Sequence, residues 1–299
     1  MSQATIQQGL KFDDDRGVIN SHKSWTGETI VAKSVDVDRD DQCGVKISKF
    51  NLNYVFAPKD PRDKKLSFKV IDPSKLPSKV DISDDMGKRL DQGDLGSCVS
   101  NSVAYCIRYV RHKENLTVYD PSRLYIYYYG RVIEGSPADE DTGLYIRDGY
   151  KSVEKYSVCS EQNWPYLPTK FHIEPSKYAQ DAAKQHKTFK YFAVEQSLNE
   201  IKNCLSQKYP VSFGMTVFSS FMSAEVAKSG VAPYPDVRRE QQLGGHCITI
   251  VGYDDSTQRF KILNSWGDSW GDKGTCTIPY SFILNGKYCD DFWTPRVFI

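Results

Sequence analysis

Residues 91–102 read DQGDLGSCVSNS and place one cysteine, Cys98, where a polar turn gives way to a helical pattern. The apolar residues beyond it fall on one face of a helix: Val99, Val103, Cys106, Ile107 and Val110. Ser97 is suited to be the N-cap of that helix. Cys98 would then lie in the first turn, where free N–H groups and the helix dipole favour a thiolate. The pattern fits either a nucleophile or a small buried residue after a turn.

The composition of the whole chain is that of a globular protein. Its 299 residues are 39% hydrophobic and 26% charged, which allows one large domain or two ordinary ones. The net charge of +1 gives no electrostatic case for binding nucleic acid or an anionic membrane. No apolar run approaches the roughly 18 residues of a spanning helix. The first residues lack the features of a secretory signal, so we expect a soluble, intracellular protein.

Eight cysteines are scattered along the chain without any Cys-x-x-Cys pair. This spacing argues against a structural zinc site, and we predict neither a metal nor a cofactor. In the absence of a secretory signal, we expect most of these thiols to be reduced and buried.

The chain divides into two parts by its pattern. Residues 1–75 are rich in Asp and Lys and contain two strand-like pieces, at 29–37 and 45–56, before an extended connector. For residues 76–299 we predict a helical part at about 90–205 and a β part at about 206–299. The predicted helices follow Cys98 and lie at 122–135, 145–156 and 197–208, and the strands at 211–215, 246–255, 259–264, 275–280 and 296–299. Helices followed by an antiparallel sheet indicate an α+β fold.

A nucleophilic thiol needs a base, and one of the five histidines is placed to be that base. His22, His112, His172 and His186 have polar or charged neighbours and are predicted to be surface groups. His246 follows two glycines and opens an apolar strand. Asn264 ends the next strand of a predicted hairpin, where its amide could orient the imidazole. A lone histidine is more often structural, so the prediction depends on the three residues together.

Three blocks of sequence resemble the signatures of papain-like cysteine proteases: QGDLGSC (92–98), GGHCITIVGYDD (244–255) and NSWGDSWGDKG (264–274). The separation of Cys98 and His246 is near the roughly 130–150 residues typical of that family. The resemblance covers the chain from about residue 75 to its end. It implies a helical and an antiparallel β subdomain with a cleft between them, and a polypeptide substrate.

The resemblance also implies the role of each site residue. Cys98 would be the nucleophile and His246 its ion-pair partner, which later protonates the leaving amine. Asn264 would orient His246, and Trp266 would cover their hydrogen bond. The Gln92 side chain and the Cys98 backbone N–H would stabilise the oxyanion.

The chain departs from the family at a disulfide. Leu95 stands in place of one cysteine, and the other aligns with Asp141. The loss of both halves implies a reducing compartment and a disulfide-poor branch similar to bacterial and giant-virus sequences. We therefore expect a cytoplasmic location, or the host cytoplasm or the virion if the chain is viral. Val99 replaces a tryptophan, which changes packing but no proton transfer.

Three residues are predicted to contact substrate. If the loop alignment holds, Gly143 and Leu144 pair their backbones with the substrate, although Gly143 also fits an ordinary turn. Gly245 has no side chain and leaves room beside the imidazole.

Residues 1–75 have two interpretations. They form either a packing extension or a non-standard inhibitory segment of a zymogen, whose piece near 45–56 lies in or beside the cleft as an added strand.

Other functions stay open beside the main hypothesis of an endopeptidase. A catalytically inactive scaffold, an acyl-transfer enzyme of the transglutaminase kind, and an exopeptidase whose cleft is blocked by the N-terminal segment are the alternatives.

Overall fold

The computed structural model describes residues 52–58, 60–65, 72–186 and 189–297. The predicted strand at 29–37 and the first part of the one at 45–56 lie outside these residues.

Helices dominate the first half of the described chain, and several begin at a serine that caps them. The Ser122 hydroxyl accepts a hydrogen bond from the Tyr125 N–H, and Ser197 does the same for Glu200. The helices are α1 (Cys98–Lys113), α2 (Arg123–Glu134), α3 (Ile146–Tyr156), α4 (Lys177–Lys184), α5 (Leu198–Ser206), α6 (Ala224–Ser229) and α7 (Tyr280–Ile283).

The strands of the described residues form one antiparallel sheet. The strands are β1 (Lys79–Asp81), β2 (Phe189–Ala193), β3 (Val211–Phe218), β4 (Gln242–Asp254), β5 (Arg259–Leu263), β6 (Thr275–Pro279) and β7 (Cys289–Val297). Their order is β2-β7-β3-β4-β5-β6, and β1 pairs with β4. The long strand β4 is almost wholly buried from His246 onward, as expected for a continuous apolar run at the centre of a sheet.

Buried hydroxyl groups join helix α1 to the sheet. The Ser102 hydroxyl donates to Ser212 of β3 at 2.8 Å and bonds to Thr249 of β4 at 2.6 Å. The Tyr150 hydroxyl of α3 reaches the same Ser212 oxygen at 2.8 Å. Buried hydroxyls are costly without partners, so this cluster favours one register of α1 against the sheet. That register sets the position of Cys98, the first residue of α1, beside β4.

The α+β class and the two-part arrangement of a papain-like fold are confirmed. The four predicted helices and five predicted strands are present, but their ends differ. Strand β4 begins four residues earlier than predicted, at Gln242, and the final strand begins at Cys289. Strand β2 was not predicted, although it lies within the stretch expected to be helical. It forms because its backbone pairs with β7, a contact that local sequence does not record. The boundary near residue 75 stays a prediction.

Candidate active site

Cys98 lies at the N-terminus of α1 and is 1% exposed. The backbone N–H groups of Val99 and Cys247 are directed at its sulfur. Cys247 immediately follows His246 on β4, so the thiol lies where the helix start meets this strand. Ser97 occupies the N-cap position, but its side chain does not cap the helix as predicted. Its hydroxyl bonds to Tyr166 at 2.6 Å instead.

His246 and Asn264 are brought together by the pairing of β4 with β5. Thr249 lies opposite Leu263, so Asn264, one residue beyond β5, comes level with Ile248, two residues along β4 from His246. The His246 Nε2 and Asn264 Oδ1 atoms are 2.8 Å apart, and both residues are fully buried. The predicted base and orienter are therefore in direct contact.

A backbone group decides how this hydrogen bond is directed. The Ser265 N–H donates to the same Asn264 Oδ1 at 2.8 Å, which identifies that atom as the amide oxygen. The His246 Nε2 must then carry a proton and donate it to Oδ1. The other ring nitrogen, Nδ1, is buried and has no hydrogen-bond partner among the described residues. Nδ1 is therefore the nitrogen that can accept a proton.

Trp266 packs flat against the imidazole. The ring centroids of His246 and Trp266 are 4.8 Å apart, with an interplanar angle of 22°. Trp266 is 3% exposed, and Phe221 packs against its ring from another side at 5.8 Å. This aromatic cover keeps water away from the histidine–asparagine hydrogen bond.

Gln92 is fixed in the loop before Cys98. Its Nε2 donates to the Leu95 carbonyl at 3.0 Å, and its Oε1 accepts from the Ser265 hydroxyl at 2.7 Å. The Gln92 backbone N–H also donates to the Ser265 carbonyl at 2.9 Å. The loop is thus joined to the block that carries Asn264. One hydrogen of the Gln92 amide is left for a further acceptor.

Tyr166 supports the same loop, a role that the sequence did not indicate. Its hydroxyl donates to the Gln92 carbonyl at 2.8 Å, in addition to its bond with Ser97. The Arg123 guanidinium stacks on the Tyr166 ring, 3.6 Å from its centroid, and pairs with Glu161 at 2.8 Å. These contacts fix the position of the loop that precedes α1.

Burial sets the charge state of the two central groups. It raises the pKa of the Cys98 thiol to about 12 and lowers the pKa of His246 to about 4, although the Asn264 hydrogen bond opposes the second shift. In the state described here, both groups are therefore neutral at pH 7.

A hydrogen bond joins the two loops where the family places a disulfide. The Asp141 carboxylate accepts from the Gly96 N–H at 2.8 Å, next to Leu95. The Tyr127 hydroxyl donates to the other carboxylate oxygen. The seven cysteines among the described residues are all free and buried.

Two of the three predicted substrate-contacting residues, Gly143 and Gly245, lie against the chain's own residues 52–54. The Tyr54 N–H donates to the Gly245 carbonyl at 3.1 Å, and Asn53 forms a parallel bridge with Gly245. A Cβ at Gly143 would overlap the Asn53 carbonyl, and one at Gly245 would overlap that of Tyr54. The Leu144 side chain instead points into the core, where it packs on Gly130 and Gly149.

Residues further along the N-terminal segment also contact the rest of the chain. The Arg147 guanidinium donates to the Pro58 carbonyl at 3.1 Å and lies 3.3 Å from Asp63. The Ala193 N–H of β2 donates to the Lys64 carbonyl at 2.9 Å. Residues 52–56, the described part of the strand predicted at 45–56, therefore lie beside the site, but they form a single bridge, at Asn53, and not a strand.

No metal site and no membrane span emerge from the part of the chain that the structure describes. No three His, Cys, Asp or Glu side chains within it are grouped to hold a metal ion. No helix within it combines the length and apolar character needed to cross a bilayer.

Comparison with known proteins points to one family. Residues 76–286 match the family described as papain family cysteine protease. An uncharacterized peptidase C1-like protein of Acanthamoeba polyphaga mimivirus is 36% identical over 81% of this chain and 86% of its own. The crystal structure of Xylellain, a cysteine protease from Xylella fastidiosa, superposes with a TM-score of 0.78 at 32% identity, covering 84% of this chain and 98% of that one.

A more distant structure shares the fold. Digestive procathepsin L 3 of the Tenebrio molitor larval midgut has a TM-score of 0.61 at 17% identity, over 78% of this chain and 73% of that one. Together with the match over residues 76–286, these similarities show that the chain belongs to the papain family of cysteine proteases.

Proposed function

We propose that this protein is a cysteine peptidase that hydrolyses peptide bonds through Cys98 and is held inactive by its own N-terminal segment. The observation that carries the proposal is the hydrogen-bond direction at His246. Because Nε2 donates to Asn264, Nδ1 is left as the base for a thiol on the neighbouring helix.

The proposed reaction assigns one role to each of these residues. Nδ1 of His246 takes the thiol proton, and the Cys98 sulfur attacks the carbonyl carbon of the scissile bond. The free hydrogen of the Gln92 amide and the Cys98 backbone N–H stabilise the oxyanion. The His246 imidazolium then gives its proton to the leaving amine, and a thioester forms. Water, activated by the same imidazole, hydrolyses the thioester and regenerates the thiol.

Three features of the segment support inhibition. Its Tyr54 N–H donates a hydrogen bond to the Gly245 carbonyl, and its Asn53 side chain donates one to the Asp141 carbonyl at 3.1 Å. Leu52, Asn53 and Tyr54 are each no more than 9% exposed. A peptide substrate that pairs with Gly143 and Gly245 has to displace these residues first.

Covalent labelling tests the nucleophile. In the Tyr54→Ala protein, whose N-terminal segment is loosened, an epoxide inhibitor selective for papain-like thiolates is expected to modify Cys98. Adding Cys98→Ala is expected to abolish both labelling and peptide hydrolysis while the protein stays folded. Cys276→Ala, which removes a buried thiol on β6 at the edge of the sheet, is the matched control and should keep both in the same background. Undiminished hydrolysis by the protein that carries both Tyr54→Ala and Cys98→Ala would overturn the assignment, and a folded Tyr54→Ala protein that is neither labelled nor active would favour the inactive scaffold.

The free cysteines support a further part of the proposal, that the enzyme works in a reducing compartment. We expect its stability to be the same with and without dithiothreitol. A loss of stability on reduction would contradict this location.

A further inference from the structure

The side chain of Tyr54 fills a pocket beside the candidate catalytic histidine. Gly214 of β3 lies opposite Cys247 of β4, next to the pair formed by Met215 and His246. A Cβ at Gly214 would overlap the Tyr54 ring, so the absence of a side chain there creates the space. Tyr54 is 3% exposed, and the pocket is therefore closely filled.

The floor of this pocket is a carboxyl group. The Tyr54 hydroxyl donates to Asp291 Oδ2 at 3.1 Å, and the Trp293 indole N–H donates to Oδ1. Burial raises the pKa of Asp291 to about 7, and burial together with Asp291 raises the pKa of Tyr54 well above its usual value. The phenol therefore stays protonated and acts as the donor. Asp290, which lies opposite Gly214 on β7, adds a second acidic side chain nearby.

The backbone beside the pocket is one that a substrate would use. Tyr54 reaches the pocket while its N–H donates to the Gly245 carbonyl, one residue before His246. Once the segment leaves, a peptide that donates to the same carbonyl can direct one of its side chains between Gly214 and Asp291. The geometry of Tyr54 then describes the side chain that fits best: a ring-sized body with a hydrogen-bond donor at its tip.

We propose that Asp291 is a specificity-determining residue that selects substrates with tyrosine at the position entering this pocket. The inference rests on the proposed function and goes beyond it by naming the favoured substrate side chain. The alternative is that Asp291 serves only to hold Tyr54 and has no effect on substrate choice.

Peptide hydrolysis by full-length variants separates the two. Tyr54→Ala empties the pocket, and in this background fluorogenic peptides are compared that carry tyrosine or phenylalanine at each position in turn. At pH 8, where Asp291 is mostly ionised, we expect tyrosine at one position to be preferred in kcat/KM by about tenfold or more, the effect of a hydrogen bond to a charged acceptor. Adding Asp291→Gly removes the acceptor and should abolish the preference, whereas Asp291→Asn keeps an oxygen and should retain part of it. Both replacements suit the left-handed backbone at this residue, where φ is 63°. Asp84→Asn, at an exposed position before α1, is the control and should change nothing.

A binding measurement decides the inference even without turnover. In Tyr54→Ala, 4-methylphenol is expected to raise the melting temperature more than toluene, and Asp291→Gly should remove the difference. Equal effects of the two compounds, or equal hydrolysis of tyrosine and phenylalanine peptides at every position, would overturn the role of Asp291. Failure of Cys98 to be labelled would count against the proposed function and leave the binding result to decide the pocket separately.

Discussion

Replacing Tyr54 tests the inhibitory role of the segment most directly. Tyr54→Ala deletes a side chain that is 97% buried (3% exposed) together with its hydrogen bond to Asp291. Loss of a buried aromatic side chain costs about 3–5 kcal/mol in protein cores. If docking of the segment loses about 3 kcal/mol, the fraction of open enzyme rises by about 100-fold. Tyr54→Phe loses only the hydrogen bond, about 1.5 kcal/mol, and should raise that fraction about tenfold.

The assay is the initial rate of hydrolysis of a fluorogenic peptide by full-length protein, with mass spectrometry to check that the chain is intact. Tyr178→Ala is the control, because that tyrosine is 70% exposed. The expected order of rates is Tyr54→Ala above Tyr54→Phe, and both above the wild type and Tyr178→Ala. Equal rates for all four proteins would refute the reasoning that Tyr54 holds the segment in place.

Three further predictions concern the site and its support. Tyr166→Phe removes two hydrogen bonds to the loop before Cys98 and should lower kcat by about tenfold with little change in fold, as measured by kinetics and circular dichroism. In the full-length protein, the rate of Cys98 alkylation by iodoacetamide should climb steadily from pH 6 to pH 9, because the thiol pKa lies near 12; a plateau in that range would contradict the neutral state. Burial raises the pKa of Glu134 to about 8, above its unfolded value, so the wild type should lose stability as pH rises from about 5 to 8. Glu134→Gln should lose less, whereas Glu140→Gln, at an exposed position, should behave as the wild type in thermal unfolding.

The sequence alone was sufficient to place those site residues whose positions depend on nearby sequence patterns. Cys98 was placed at a helix start by the turn before it and the apolar face after it, and α1 begins at that residue. The contact of His246 with Asn264 followed from a hairpin whose strands are apolar and well bounded. Each of these depends on patterns within a few residues, which is the range over which sequence constrains backbone geometry.

Other parts of the site depend on contacts between distant residues. Tyr166 reaches Gln92 across 74 positions, and Tyr54 reaches Asp291 across 237. No local pattern records such pairs. One signal was available: Asp290 and Asp291 interrupt an otherwise apolar final stretch, CDDFW, and acidic residues inside a strand call for an explanation.

The bond between Asp141 and Gly96 changes what the assembly of the site requires. A disulfide at this point would need an oxidant to remove two electrons before the two loops were joined. A carboxylate that accepts from a backbone N–H forms as soon as the chain folds, and no catalyst of thiol exchange takes part. Glutathione cannot break it. The attachment of these two loops is therefore independent of the redox potential around the protein.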